Sequence, residues 1–467
     1  MISSPQTLEP AVSFERREKW PKIVENTRHL AQKVLSKTCA KLLQSLRNIL
    51  FSSEFSARHR ASPTAFTRNR SLPFPTLFCF LVNLVRGSYQ NELDQFFKAL
   101  NDSPVPKRVV SKAALTKARA KIHYRAFIEL NRHLISAFEE MFQLKRWRGR
   151  RLVAIDGSTV RLPRVTEIAE QFGVWEVNKG KPCPMARVSQ LFDPLNKISI
   201  AAVVSPKHVD ERKHACQLFL NLMPEDLVLL DRGYPAFWLF KIILTMNADF
   251  CARIGRKWKI VTDFIDSGDQ EQIVELPAPY SSIIDCRALG LDTDPIALRL
   301  IRIELDSGET EVLITSLTDT RRYPYRLFKD LYHHRWPVEE DYKYMKCWIE
   351  LENFTGKSVH SIYQDFHAKI FAKNLTSMLC FPVRRSLDRQ GKKVKHSHQV
   401  NFVQALSKMK HVIALLFQRP LQSLQRIIAD LLDIFQRTTE PVRPGRKYPR
   451  NHKVSVRRHS CCYKAIA

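Results

Sequence analysis

The sequence predicts an α/β protein, with a mixed sheet that carries a β-rich insertion and helical regions before and after it. Three observations predict this. Two apolar runs, Leu152-Val153-Ala154-Ile155 and Leu227-Val228-Leu229-Leu230, read as buried strands, and each closes on an aspartate, Asp156 and Asp231. Between and after them, strand-like and helix-like segments alternate. At both ends of the chain, apolar residues recur at helical spacing instead.

In order, residues 1–144 read as a helical N-terminal region, with Leu30, Val34, Leu42, Leu46 and Ile49 at helical spacing and a linker marked by Pro63, Pro73 and Pro75. Ser111 to Ile122, SKAALTKARAKI, reads as a short basic helix with Ser111 as N-cap. Its expected buried side is Ala114, Leu115, Ala118 and Ile122, and its outward side Lys112, Lys117, Arg119 and Lys121. Such a helix can enter a DNA groove or be a solvated face. Lys145 to Arg151 follows, with five basic residues in seven. Residues 145–254 form the first part of the sheet domain. Strands are expected at Val188–Phe192, Ile198–Val204, Leu227–Leu230 and Phe250–Ile254, and helices at Asp210–Asn221 and Ala236–Met246. Residues 255–318 form the insertion, with β-like runs at 260–261, 272–275, 297–303 and 311–315. Residues 319–382 complete the domain with helices over 325–350 and 361–379. Residues 383–467 are a basic helical region, apolar around Val412 to Leu432, and end in a tail expected to be disordered. From Pro441 that tail holds eight Lys or Arg and no acid.

The formal charge is +29, from 75 Lys and Arg against 46 acids. That excess favours a polyanion, because neutralised phosphates release condensed counterions. A ribosome-associated or membrane-surface protein would carry a similar charge. No apolar stretch approaches the roughly 20 residues a bilayer crossing needs, and the N-terminus lacks a signal peptide's order, so no membrane partner is expected. The ten cysteines include no Cys-x-x-Cys pair, which fits reduced usage rather than a disulfide framework. His459 with Cys461 and Cys462 is too sparse for a zinc site. With 13 glycines and no phosphate-cradling glycine motif, nucleotide-cofactor folds are disfavoured.

The chemistry-bearing pattern is acidic. Hard divalent cations need oxygen ligands, and paired ions perform in-line displacement at phosphorus. Asp156 and Asp231 at strand ends, joined by Glu339 on a helix, can supply such ligands. On an ideal helix Tyr332, Arg335, Glu339, Lys343 and Lys346 fall within roughly 80° of arc, an acid among phosphate-gripping cations. Taken singly, Arg335–Glu339 and Glu339–Lys343 are ordinary surface pairs. Pro337 either begins the helix carrying Glu339 or kinks it. Asp193, Asp210 and Glu211 are rivals near the two aspartates, and Glu340 and Asp341 adjoin Glu339.

The string Tyr332-x2-Arg335-x3-Glu339-x6-Lys346 resembles the Tyr-Arg-Glu-Lys signature of bacterial insertion-sequence DDE transposases of the insertion sequence 4 family. AIDGSTV around Asp156 and LLDRGY around Asp231 are similar to that family's first two acidic motifs, and SKAALTKARAKI resembles a segment upstream of its catalytic domain. The resemblance implies a ribonuclease H-like catalytic domain, with residues 1–144 binding DNA. It also implies Mg²⁺-dependent cleavage and strand transfer at terminal inverted repeats. Asp156, Asp231 and Glu339 would be the catalytic acids and hold two Mg²⁺, with Mn²⁺ able to substitute. Tyr332, Arg335, Lys343, Lys346 and Arg232 would contact DNA, and Trp258 would either stack on a displaced base or pack within the insertion. A homodimer joining two element ends on target DNA is expected, with the Val412–Leu432 patch as either its interface or a core element, in the bacterial cytoplasm at the nucleoid. A metal-dependent nuclease without strand transfer and a domesticated, non-catalytic DNA-binding protein are the alternatives.

Overall fold

The computed structural model describes residues 15–176, 182–304, 308–390, 396–410 and 412–443, with the backbone alone over 15–32. The basic tail from 444 onward, including His459, Cys461 and Cys462, lies outside the described residues.

The centre is a nine-stranded mixed sheet. Its strands are β1 (Leu152–Arg161), β2 (Val174–Trp175), β3 (Cys183–Asp193), β4 (Ile198–Ser205), β5 (Leu227–Leu230), β6 (Asp249–Ile254), β7 (Glu271–Leu276), β8 (Ile296–Glu304) and β9 (Thr310–Thr315). The order is β2-β3-β1-β5-β6-β9-β8-β7, with β4 also on β3. β3 runs antiparallel to β1 and β4, whereas β1, β5 and β6 are mutually parallel. The part β4-β3-β1-β5-β6 is the mixed sheet expected of a ribonuclease H-like domain. β5 carries four fully buried residues in a row, as a strand covered on both faces should.

The stretch 255–318 adds β7, β8 and β9 antiparallel to the β6 edge, so its strands extend the central sheet. It also contains helices α10 (Lys259–Ser267) and α11 (Tyr280–Leu289). The β-like run at 260–261 therefore lies in helix. Two adjacent β-branched residues satisfy either periodicity, and burial of Val261 and Phe264 on one helical face decides it.

Six helices, α1 (Glu15–Leu50), α2 (Ser53–His59), α3 (Phe74–Val82), α4 (Tyr89–Leu100), α5 (Lys112–Arg119) and α6 (Arg125–Met141), precede the sheet. Pro73 is the N-cap of α3 and Pro75 lies in its first turn, where a missing N–H costs nothing. Leu42 and Leu46 are buried as expected, but Val34 is exposed. Helices α7 (Thr166–Phe172), α8 (Glu211–Phe219) and α9 (Phe237–Thr245) sit between strands. Next come α12 (Phe328–His333), α13 (Pro337–Lys343), α14 (Val359–Gln390), α15 (Phe402–Met409), α16 (Val412–Gln418) and α17 (Leu421–Arg437). α14 is buried on every side over most of its length, and α3, α6 and α17 pack around it.

The patch around Val412 to Leu432 is core. Leu424, Ile428, Leu431 and Leu432 join the cluster shared with α3 and α14, so within the described residues this surface is covered by the chain itself. The basic helix is also corrected. Ser111 does cap α5 by accepting from the Ala114 amide, but Arg119 points inward, 4 % exposed. It pairs with Asp365 at 2.6 Å and donates to Gln364 and Thr355. Ala114, expected inside, is exposed, so the helix docks through Leu115 and Arg119.

Candidate metal and nucleic-acid site

Strand register builds the site. β1 and β5 are parallel with Ala154 opposite Leu229, which puts Asp156 and Asp231 level, two residues further along adjacent strands. Neighbouring strands lie about 4.8 Å apart. Side chains alternate faces, so Asp156 continues the row Leu152, Ala154, and Asp231 the row Leu227, Leu229. Those four residues belong to the core cluster shared with Val338 and Tyr342 of α13. Both aspartates therefore project toward the helix that carries Glu339, at the carboxyl ends of parallel strands, where open α/β sheets place ligands.

The segment 325–350 is broken into pieces. A 3₁₀ turn (Tyr325–Leu327) leads into α12, Pro337 is the first residue of α13, and a π turn (Tyr344–Trp348) follows. Pro337 thus starts a helix and does not kink one. Glu339 lies in the first turn of α13, where a carboxylate is favoured by the helix dipole. Tyr332 is on α12, and its hydroxyl donates to the Leu230 carbonyl at 3.2 Å, next to Asp231. Burial raises the phenol's pKa. Arg335, in the connection, is 5 % exposed and donates to Glu339. Burial opposes its charge most, and the bond to Glu339 together with the attraction of Asp231 and Glu339 and the influence of Tyr332 outweighs it. Lys346 lies in the π turn, a feature frequent at functional sites. Its Nζ donates to Ser158 Oγ on β1 at 2.7 Å, and burial lowers its pKa. Lys343 is exposed.

Asp156 is perturbed by its surroundings. Burial drives its pKa from 3.8 to about 6. The Gly157 amide, donating to Oδ1 at 2.9 Å, and Arg335 oppose the rise, while Glu339 and Asp231 add to it. That list of influences places Asp156, Asp231, Glu339 and Arg335 in one electrostatic neighbourhood. The Tyr342 hydroxyl donates to the Asp156 carbonyl at 3.0 Å, tying α13 to the strand end. Gly157 sits inside β1 and not in a turn. A Cβ there would lie 2.7 Å from the Glu211 carboxyl carbon, so glycine lets that side chain lie over the strand.

Three carboxylates, the kind of oxygen ligand a hard cation takes, stand within β1, just after β5 and at the helix start. The buried Tyr234 hydroxyl has no hydrogen-bond partner and feels the charges of Glu211, Asp156 and Asp231. Two of these carboxylates are engaged by arginines. Asp231 pairs with Arg253 at 2.9 Å and Glu339 with Arg335. Among the described residues, no three His, Cys, Asp or Glu are gathered closely enough to hold an ion. Arg253 and Arg335 supply the positive charge beside these two carboxylates.

Arg253 was missed by sequence reasoning. Leu230 pairs with Ala252, so Arg253 is level with Asp231 one strand further on, and it also binds Glu311 at 2.6 Å. The available signal was an arginine inside the apolar run Phe250–Ile254. Arg232 is exposed in the turn that the Tyr234 amide closes on the Asp231 carbonyl at 3.0 Å. Trp258 is half-buried against the second core cluster at the start of α10, so its surroundings describe packing. The rivals have structural posts. Asp193 caps its own β-turn through the Leu195 and Asn196 amides. Asp210 caps α8, Glu340 is exposed, and Asp341 is buried against Lys373. Of the run 145–151, Lys145, Arg150 and Arg151 are held in ion pairs with Asp388, Asp249 and Asp226, leaving Arg146 and Arg148 exposed.

No helix among the described residues is long and apolar enough to cross a membrane. A solved piggyBac transposase synaptic complex with hairpin DNA aligns over 88% of each chain, at 8% identity and a TM-score of 0.43. The transposase InsG for insertion sequence element IS4, from Escherichia coli (strain K12), is 23% identical over 403 residues, covering 83% of this chain and 87% of that one. Residues 147–375 match the family described as the transposase DDE domain, and that span contains Asp156, Asp231 and Glu339. Residues 147–375 thus match the transposase DDE domain, and most of the chain is similar to an insertion-sequence transposase.

Proposed function

We propose that this protein is a DNA transposase that binds the terminal inverted repeats of its own element, cuts there, and transfers the freed strand to target DNA. The observation carrying this reading is the level placement of Asp156 and Asp231 on adjacent parallel strands beneath the Glu339 helix. In this reading Asp156, Asp231 and Glu339 hold Mg²⁺, with Mn²⁺ able to substitute. The ions supply activation of the attacking oxygen and neutralisation of the leaving one. Arg335 and Arg253, paired here with Glu339 and Asp231, would be free to turn to DNA phosphates once those acids held metal, and a guanidinium fork suits phosphate. Lys346, bonded to Ser158 beside Asp156, grips the strand near the cut. Tyr332 positions the Asp231 turn and contacts phosphate, and exposed Lys343 and Arg232 extend the track. Two ends must be held together for joining, so the acting form is a homodimer on DNA, at the nucleoid in the cytoplasm.

The test incubates the protein with duplexes bearing the element's ends, a supercoiled plasmid and Mg²⁺, beside Asp231→Ala. Cleaved ends joined to plasmid, with Asp231→Ala binding DNA but cutting nothing, support the proposal. Nicks without joined product replace it with a nuclease. DNA binding by the unmodified protein without metal-dependent cleavage replaces it with a binding module.

A further inference from the structure

We propose that the buried pair Lys373–Asp341 positions Glu339, fixing the helix that bears it on the same rung of the sheet as Asp156. The inference rests on the reading of Asp156, Asp231 and Glu339 as a metal-holding set. Lys373, on α14, is fully buried, and Asp341, on α13 two residues after Glu339, is 7 % exposed. Lys373 Nζ donates to Asp341 Oδ2 at 2.6 Å and to Ser199 Oγ, on β4, at 2.6 Å. Gln190 Nε2, on β3, donates to the same Asp341 oxygen at 2.9 Å, and Ser199 Oγ donates to Gln190 Oε1 at 2.6 Å. Gln190 is the residue directly opposite Asp156 in the β1–β3 ladder. Asp341 is therefore locked to the rung that carries Asp156, and Glu339 is set from it by a helical segment.

Neighbouring contacts serve the same end. Asn374, next to Lys373, donates to the Ser199 carbonyl at 2.7 Å and to Asn131 Oδ1 at 2.8 Å, and accepts from the Ser199 amide at 2.9 Å. One turn before Lys373, Lys369 Nζ donates to the carbonyls of Glu350 at 2.8 Å and Asn353 at 3.0 Å. α14 thus grips the acid-bearing segment both at α13 and beyond the π turn. A buried ion pair is a poor source of stability, because desolvation offsets its attraction and an apolar pair of similar volume is often as stable. What an apolar pair lacks is direction. Leu and Met would let α13 slide or roll by a fraction of a turn at little cost, whereas the two donors on Asp341 Oδ2, themselves joined through Ser199 Oγ, admit one register.

The experiment compares the full chain with Asp341→Leu/Lys373→Met by thermal unfolding, DNA binding, Mn²⁺ binding without DNA, and cleavage as a function of Mg²⁺. The expected result is retained folding and DNA binding, with Mn²⁺ affinity and the cleavage rate at saturating Mg²⁺ each lowered about 10–100-fold, the range for groups that orient metal ligands. Unchanged Mn²⁺ affinity and Mg²⁺ dependence in a folded variant overturn the proposal. If the double variant does not fold, Asp341→Asn, which keeps the volume and an acceptor for Gln190, must show the same weakening of Mn²⁺ binding, and normal binding there also overturns it. Absence of metal-dependent cleavage in the unmodified chain is a separate result. It defeats the transposase reading, while the Mn²⁺ comparison still decides the role of the pair.

Discussion

Replacing Asp156 by asparagine isolates the cost of holding a half-buried carboxylate in a site made for metal. The fold lifts this carboxyl from 3.8 to about 6, by burial first and by Glu339 and Asp231 in addition. Between those values the folded chain binds more protons than the unfolded one. The stabilisation from protonated Asp156 is complete below about pH 4 and is lost as pH rises through about 6. At 1.36 kcal/mol for each pH unit, the displacement is worth up to about 3 kcal/mol, and nearer 2 once residual solvent at the carboxyl is counted. Asparagine keeps the acceptor for the Gly157 amide and leaves the Tyr342 bond to the main-chain carbonyl untouched. At pH 8 in chelator Asp156→Asn is therefore expected to be more stable than the parent by about 2 kcal/mol, and near pH 4 the two should coincide. Domains of 150–250 residues gain roughly 2–4 °C per kcal/mol and longer chains less, so a rise of a few degrees, below about 8 °C, is expected. Millimolar Mg²⁺ should reverse the order by stabilising only the parent. Thermal unfolding at several pH values, with and without Mg²⁺, provides the assay. A variant less stable than the parent at pH 8 in chelator, or one that gains as much from Mg²⁺, refutes the reasoning.

Mn²⁺ affinity of the parent should weaken by up to about tenfold per pH unit below about 6, because Asp156 must release its proton to bind; a flat titration series contradicts this. Arg253→Gln frees Asp231 from its ion pair and should strengthen Mn²⁺ binding several-fold in DNA-free protein, read by direct titration. Arg119→Met strands the buried Asp365 carboxylate and should cost about 3–5 kcal/mol in denaturant unfolding. Changing Lys112, Lys117 and Lys121 together to Gln should leave stability within about 0.5 kcal/mol. If all three contact phosphates, the salt slope of DNA binding should fall by about 3.

The two aspartates were legible because a short apolar run ending in Asp has few interpretations, and the strands formed where the runs lie. The neighbours of those aspartates were not legible. Arg253 and Gln190 reach the site through register, and register is a relation between strands far apart in sequence. The helix over 325–350 illustrates the other failure. On an ideal helix Tyr332, Arg335, Glu339, Lys343 and Lys346 share one face, with Pro337 open as either a helix start or a kink. The chain instead breaks before Pro337 and opens a π turn, yet Arg335 still reaches Glu339 and Lys346 reaches the strand beside Asp156. Spacing picked out the candidates, and packing set the contacts between them.

Amphipathic helices were read less well. SKAALTKARAKI offers its apolar and basic residues without saying which side docks, and Arg119 is inside because Asp365, nearly 250 positions away, is there to neutralise it. The stripe around Val412 to Leu432 was equally open between an interface and a core. By itself the sequence determined the mixed sheet with helical ends, the basic charge, and an acidic trio with its flanking cations, because these depend on local period and composition. Only the tertiary structure decided which charges are spent on one another and which face the site, because burial and pairing are settled by partners that local sequence does not contain.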